Sequence, residues 1–304
     1  MDLTAHAGLT LVAETLLAVG LESVVQEQLR LRVRQRGHPE FTKLQTCLRI
    51  VAAGGDCVED VRILARDAGL RRLLRRPWPS PDALHAFLAT CHNAAAIGQR
   101  PATGAWIPPE PPALRALAAV NTALVRRAVA GLPVTEATLD LDATTILSGK
   151  RDALPLYRGG RGYQPTAVLW AEQDLVVADQ YRDGNVPAGM DPLAVAQHAF
   201  AALPPTVTTR AFRGDSACYH DDLLKHLAKR IAFTISADMS PELRHVCTAR
   251  GVVWHRFEAR VTELVEVAEV EFTPGRWPKT AAPLRYVALR FTPTQGSLFG
   301  EPPK

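Results

Sequence analysis

The sequence predicts a mixed α/β protein with a helical N-terminal region. A mixed sheet in the order β-β-β-α-β-α-β follows, and then a small antiparallel β segment near the C-terminus. Three observations carry this. Apolar residues recur at helical spacing through residues 10–130. At residue 137 the pattern changes to an alternation rich in Thr, Leu and Ile. From 192 to 238, helical and strand-like segments then take turns. These changes divide the chain into 1–131, 132–248 and 249–304.

The helical segments come first. LTLVAETLLAVGLESVVQEQL and FTKLQTCLRIVAAG both carry apolar residues at helical spacing. Ser80-Pro81-Asp82 is a helix start, with Ser80 able to cap and Pro81 suited to the first turn. The spacing predicts one helix from there through ALHAFLATCHNAAAIG to Gly98. Residues 99–112 are rich in proline and read as a linker. A last helix, ALRALAAVNTALVRRAVAG, stops at Gly131.

Three strands follow as a meander: ATLDLDATTIL, PTAVLWAE and LVVADQYR. PLAVAQHAFAAL is a helix stopped by Pro204-Pro205. VTTRAFRGD is the fourth strand, HDDLLKHLAKR a helix and IAFTISAD the fifth strand. Right-handed crossovers make the last two strands parallel to the first. VVWHRFEARV, LVEVAEVEF and LRYVALRF then form the small antiparallel sheet, with Pro274, Pro278 and Pro283 between the last two.

Composition narrows the classes. The 304 residues are 47% hydrophobic and 22% charged, which excludes disordered, collagenous and coiled-coil chains. No stretch of ~18 uncharged apolar residues is present, so no membrane span is expected. The first ten residues lack a basic region, so no signal peptide is expected. Five scattered cysteines without a C-x-x-C pair fit reduced thiols in a cytosolic protein. The net charge of +4 lies in the N-terminal part. Arg30, Arg32, Arg34 and Arg36 form one cluster there, and Arg71, Arg72, Arg75 and Arg76 another. Basic clusters on helices suit phosphate contact, although each alone is more commonly a solvated helix face.

Three acids stand out. Asp140 and Asp142 are two apart on the first strand and so share a face. Asp215 closes the fourth strand, where ligands of such sheets gather. With the fourth strand beside the first, Asp142 and Asp215 approach each other, and two hard carboxylates suit Mg²⁺ or Mn²⁺. Ions so held can activate water or a 3′-hydroxyl for phosphoryl transfer. The alternatives are a solvent-facing Asp140 and an Asp215 that caps the following helix. No phosphate-binding P-loop, dinucleotide fingerprint or His/Cys ligand spacing is present, and Arg158-Gly159-Gly160-Arg161-Gly162 precedes a strand rather than a helix.

The segments LDLDATTILSGKRDALPLYRGGRGYQP, YRDGNVPAGM, FRGDSACYHDDLL and FTISADMSPEL, with VAAGGDCVEDVRILARD upstream, resemble the group-1 DDE transposases of bacterial insertion sequences. The resemblance implies a ribonuclease H-like fold. It also implies metal-dependent cleavage and strand transfer of double-stranded DNA at element terminal inverted repeats and target DNA. A homodimer on DNA and a place at the prokaryotic nucleoid in the cytoplasm follow from it. It makes Asp142 the first catalytic and metal-binding acid, with Asp140 the runner-up, and Asp215 the second. Lys150, Arg151, Arg158 and Arg161 flank the first acid and are implied phosphate contacts. Arg182, Gly184 and Asn185 match a family motif to which no chemistry is assigned. The family's third acid lies on a helix beyond the small sheet, and Glu258, Glu263, Glu266, Glu269 and Glu271 lie in strand-like segments instead. The expectation is therefore a transposase truncated before that helix. The alternatives are an inactive chain that only binds element-end DNA, or another ribonuclease H-like nuclease.

Overall fold

The computed structural model describes residues 3–31, 37–229, 231–259, 263–278 and 280–293. Two compact units divide the chain, Met1–Arg213 and Gly214–Lys304. This differs from the threefold division suggested by composition, because the first sheet strands pack with the helices that precede them.

The first unit opens with helices α1 (Leu9–Ala18), α2 (Leu21–Gln28), α3 (Glu40–Ala52), α4 (Val61–Arg66) and α5 (Ala68–Leu74). α6 (Pro81–Ala89), α7 (Ala94–Ile97) and α8 (Pro112–Ala128) follow. Gly20 separates α1 from α2 in a left-handed conformation at φ 68°, and a Cβ there would lie 2.3 Å from the Arg127 guanidinium. Ser80 caps α6, its Oγ accepting from the Ala83 N–H, and Pro81 occupies the first turn. The helix expected to run to Gly98 breaks after Ala89, because Asn93 accepts from the Ala96 N–H and starts a new turn there. Two apolar clusters hold the bundle. Leu21, Val24, Val25, Phe41, Phe87 and Val120 form one, and Leu9, Ile50, Val61, Leu64, Leu70 and Leu84 the other. No single helix among the described residues is long and apolar enough to cross a membrane.

The main sheet of the first unit carries β1 (Glu136–Ala143), β5 (Thr166–Trp170), β6 (Leu175–Gln180) and β7 (Thr209–Gly214), and β8 (Ala232–Ile235) belongs to the second unit. The first four lie in the order β6-β5-β1-β7. β1 pairs antiparallel with β5, Leu139 opposite Trp170 and Leu141 opposite Val168, and β5 pairs antiparallel with β6. β7 runs parallel to β1. Thr208 and Thr209 donate to the Thr135 carbonyl at the strand entry, and Arg213 meets Asp140 further along. Leu139, Val168, Trp170 and Phe212 are wholly buried on one face. Helix α9 (Pro192–Ala202), which joins β6 to β7, covers that face through Phe200, whose ring lies 6.4 Å from Phe212.

Residues 146–163 form a second, small sheet that alternation did not predict. β2 (Ile146–Leu147), β3 (Leu154–Pro155) and β4 (Arg161–Tyr163) pair in the order β2-β4-β3. The strand read as continuous through Leu147 therefore ends at Ala143, and Ile146 pairs with Tyr163 instead. Gly184 packs on this sheet: a Cβ there would lie 2.6 Å from the carbonyls of Gly162 and Leu154.

The second unit contains α10 (Asp221–Leu227), β8, α11 (Pro241–Cys247) and an antiparallel sheet. That sheet comprises β9 (His255–Ala259), β10 (Glu263–Phe272) and β11 (Leu284–Pro293), in the order β11-β10-β9. Leu243, Cys247 and Val270 are its buried centre, and the hydroxyls of Tyr219 and Tyr286 are 2.7 Å apart.

Candidate functional site

Alternation along β1 decides which side chains are available. Ala137, Leu139 and Leu141 are buried, so Thr138, Asp140 and Asp142 face the opposite way, away from α9. Both acids lie on the face that the sequence assigns to them.

Their surroundings differ. Asp140 accepts two hydrogen bonds from Arg213 on the neighbouring β7, Nε to Oδ1 at 2.5 Å and Nη2 to Oδ2. This is the bidentate fork typical of arginine and carboxylate. The hydrogen-bonded carboxylate, and then its charge, hold Arg213 above the usual arginine range. Asp142 lies at the carboxyl end of β1 and is exposed. Its Oδ1 accepts only from the adjacent Ala143 N–H at 2.8 Å, and no ion pair to it occurs among the described residues. Asp140 is thus neutralised and Asp142 is open.

Asp215 follows β7 directly and lies at the start of the second unit, which begins at Gly214. It too is exposed, and its Oδ1 accepts from the Ala217 N–H at 2.9 Å, capping the 3-10 turn Ser216–Cys218. The capping role considered from sequence is present, and the second oxygen is left for other use. Both aspartates offer hard oxygen donors of the kind Mg²⁺ and Mn²⁺ accept. Among the described residues no group of three His, Cys, Asp or Glu is arranged to hold a metal.

Sequence reading missed three residues near the acids. Arg213 is the first, and its partner was hidden because the pairing spans 73 positions. Glu172 is the second; its Oε2 accepts from the Thr138 N–H at 2.8 Å. Asp179 is the third. The register sets Asp142 opposite Ala167, and Ala167 opposite Asp179. Two strand spacings, about 10 Å, separate the two acids, which is too far to share an ion. Burial pushes the Asp179 carboxyl above the usual range.

The basic residues divide by what they already hold. Arg71, Arg72, Arg75 and Arg76 are exposed at the end of α5, with Arg75 in a left-handed conformation at φ 46° that ends the helix. Arg76 lies 3.5 Å from Glu22. Lys150 and Arg151 are exposed in the loop between β2 and β3, and Arg158 lies over the Tyr157 ring at 5.2 Å. Arg161 ties that loop together, its Nε donating to the Ala153 carbonyl and its Nη2 to the Arg151 carbonyl. Of the other cluster, Arg30 donates to the Gln26 carbonyl at 3.2 Å, while Arg32, Arg34 and Arg36 lie outside the described residues.

Arg182, Gly184 and Asn185, singled out in the sequence, lie among residues with structural tasks. Arg182, 1% exposed, donates from Nε to Gln180 and from Nη1 to the Ala188 carbonyl. Asn185 donates to the Gly104 carbonyl, and Asp183 pairs with Arg100. A cavity of about 540 Å³ lined by Asn121, Arg126, Ala178 and His198 lies beside α8 and α9. Its Arg126 is spent on the carbonyls of Ala201 and Ala202.

No family model matches this sequence. No curated protein matches it either. Among solved structures, the piggyBac transposase synaptic complex with hairpin DNA is similar over 90% of this chain, at 12% identity and a TM-score of 0.41. The chain spans 60% of that protein's length.

Proposed function

We propose that this chain acts on DNA as a metal-dependent phosphoryl-transfer protein of the DDE transposase type. Asp142 and Asp215 are its two hard ligands for Mg²⁺ or Mn²⁺. The observation that carries the reading is the unequal treatment of the two acids on β1. Arg213 takes Asp140 out of play and leaves Asp142 open at the carboxyl end of the central strand. The order of the sheet supports it, since β1 is central and β7, which leads into Asp215, lies beside it. So does the resemblance carried by LDLDAT, GYQP and RDGN.

The bound ion supplies activation of water or a 3′-hydroxyl and stabilisation of the leaving oxygen. The chain's own residues do the rest. Arg213 holds Asp140 in a two-point hydrogen bond, so that Asp142 presents its carboxylate without a competing neighbour. Lys150, Arg151 and Arg158, and Arg71, Arg72 and Arg75 on the helical side, offer cations for phosphates, which position a duplex without reading its sequence. Two copies bound to two DNA ends complete the reading, at the nucleoid of a prokaryotic cell.

The test uses the purified chain with Mg²⁺ or Mn²⁺ and three substrates. These are duplex DNA from either side of the chain's own coding region, random duplex, and an RNA–DNA hybrid. The proposal expects nicking at the flanking ends that Asp142→Asn and Asp215→Asn each abolish. DNA binding that survives both substitutions, with no nicking by the parent chain, would leave a binding protein and remove the enzyme. Cleavage of the hybrid alone would make it a different nuclease. Binding should also weaken as salt rises, and Arg71→Gln should make that dependence shallower.

A further inference from the structure

Arg49 lies in the wrong place for a solvated arginine. It follows Phe41 and Gln45 at four-residue spacing on α3, on the stripe that ends in Ile50, and is 2% exposed. Its guanidinium lies 5.6 Å from the Trp78 ring centroid. Its Nε is buried without an acceptor, and no carboxylate pairs with it among the described residues. A buried cation without a counter-charge is expensive for a fold to keep.

The same side chain lines a cavity of about 210 Å³, together with Glu14, Glu22, Gln45 and Arg76. Gln45 is buried as well. Arg76 stands on the exposed side, 3.5 Å from Glu22 and 5.9 Å from the Phe41 ring centroid. Burial and then the like charge of Arg76 bring the Arg49 guanidinium down to about 10. Glu22 is engaged by Arg76 and Glu14 is exposed, so neither neutralises Arg49. Neither lining carboxylate pairs with the Arg49 guanidinium, and a guanidinium fork matches a tetrahedral oxyanion.

We infer that the N-terminal helical bundle contains a binding site for a phosphate-class oxyanion, with Arg49 at its floor and Arg76 at its mouth. The site is independent of the carboxylates on β1. Its occupant is either a backbone phosphate of bound DNA or free phosphate.

The experiment is thermal unfolding of the full chain titrated with inorganic phosphate, against sodium chloride of equal ionic strength. A saturable rise in Tm of about 5 °C is expected at phosphate well above its Kd. Arg49→Met removes the charge at similar bulk and should abolish the rise. Arg76→Gln, at the surface, should fold normally and move the half-saturating phosphate concentration upward several-fold. The surface variant decides the matter if Arg49→Met does not fold. No rise in the parent chain, or an equal rise in Arg76→Gln and in any folded Arg49→Met, overturns the inference. Fluorescence anisotropy with a short labelled duplex separates the two sources. A backbone phosphate predicts competition by inorganic phosphate and about tenfold weaker DNA binding in the variants. Free phosphate predicts unchanged DNA binding beside the same thermal shift.

Discussion

Two sheets in this molecule carry acids on their strands, and they treat them differently. On β10, Glu266 faces Arg290 directly across the register and pairs with it at 2.8 Å, and Arg290 lies over the Trp254 ring at 4.3 Å. Glu269 takes both arms of Arg285 diagonally across the same two strands. Each of these acids has a cation from the next strand. On β1, Asp140 has such a cation in Arg213, and Asp142 has none among the described residues. Cross-strand pairs of this exposed kind are worth at most about 1 kcal/mol each. The difference is therefore one of availability more than stability. A matched glutamate belongs to the sheet, and an unmatched aspartate at a strand end is free to hold something else.

The contrast can be broken most sharply at Asp142. On the proposed function, Asp142→Asn should lower nicking at least about 100-fold, because an ion held there would contribute several kcal/mol. Glu266→Gln should leave nicking unchanged. Equal losses in a gel assay would erase the distinction between the two sheets. The next effect in size falls behind the acids. Phe212→Ala empties a wholly buried position under α9 and should cost about 3–5 kcal/mol in urea unfolding, by the mechanism of cavity formation. Arg213→Gln should change urea stability far less, since the pair with Asp140 is solvated and screened. Its sharper use is in combination with Asp142→Asn. Recovery of nicking in the double variant would mean that a released Asp140 can replace Asp142.

The smallest effect is a pH dependence on β10. The Arg285 guanidinium hydrogen-bonded to Glu269 holds its carboxyl below the ordinary value of 4.5. A depressed carboxylate stabilises the fold above its unfolded pKa, and that contribution fades as pH falls through the folded one. The Tm difference between the parent chain and Glu269→Gln should therefore be steady near neutrality and vanish well below pH 4.5. A difference that grows towards acid would refute the pairing.

Much of this arrangement is legible in the residues. The helix start at Ser80-Pro81, the alternation of strands and helices along the main sheet, the shared face of Asp140 and Asp142, and the antiparallel β9–β11 sheet all follow from local pattern. What escapes is short or distant. β2, β3 and β4 are two or three residues long, too brief for alternation to register. α11 has only seven residues, although its signal was present in Ser240-Pro241, with Ser240 accepting from the Leu243 N–H. Asn93 interrupts an alanine-rich helix that spacing alone would continue. The fork between Arg213 and Asp140 cannot be read locally at all. Arg49 could have been found, since it falls on the apolar stripe of α3 at four-residue steps from Phe41.

The proline-rich stretch before α8 has a practical consequence. Read by composition it is a tether, yet Arg100 pairs with Asp183, Gly104 accepts from Asn185, and Pro109 accepts from Asn93. It is strapped at three points to the turn around Asp183 and Asn185 and to the end of the helical bundle. A protease should therefore find no easy cut between 99 and 111. Expression of the helices without β1–β7 should give insoluble protein, because α8 would lose β6 and α9 against which it packs. A smaller folded fragment would have to be cut elsewhere.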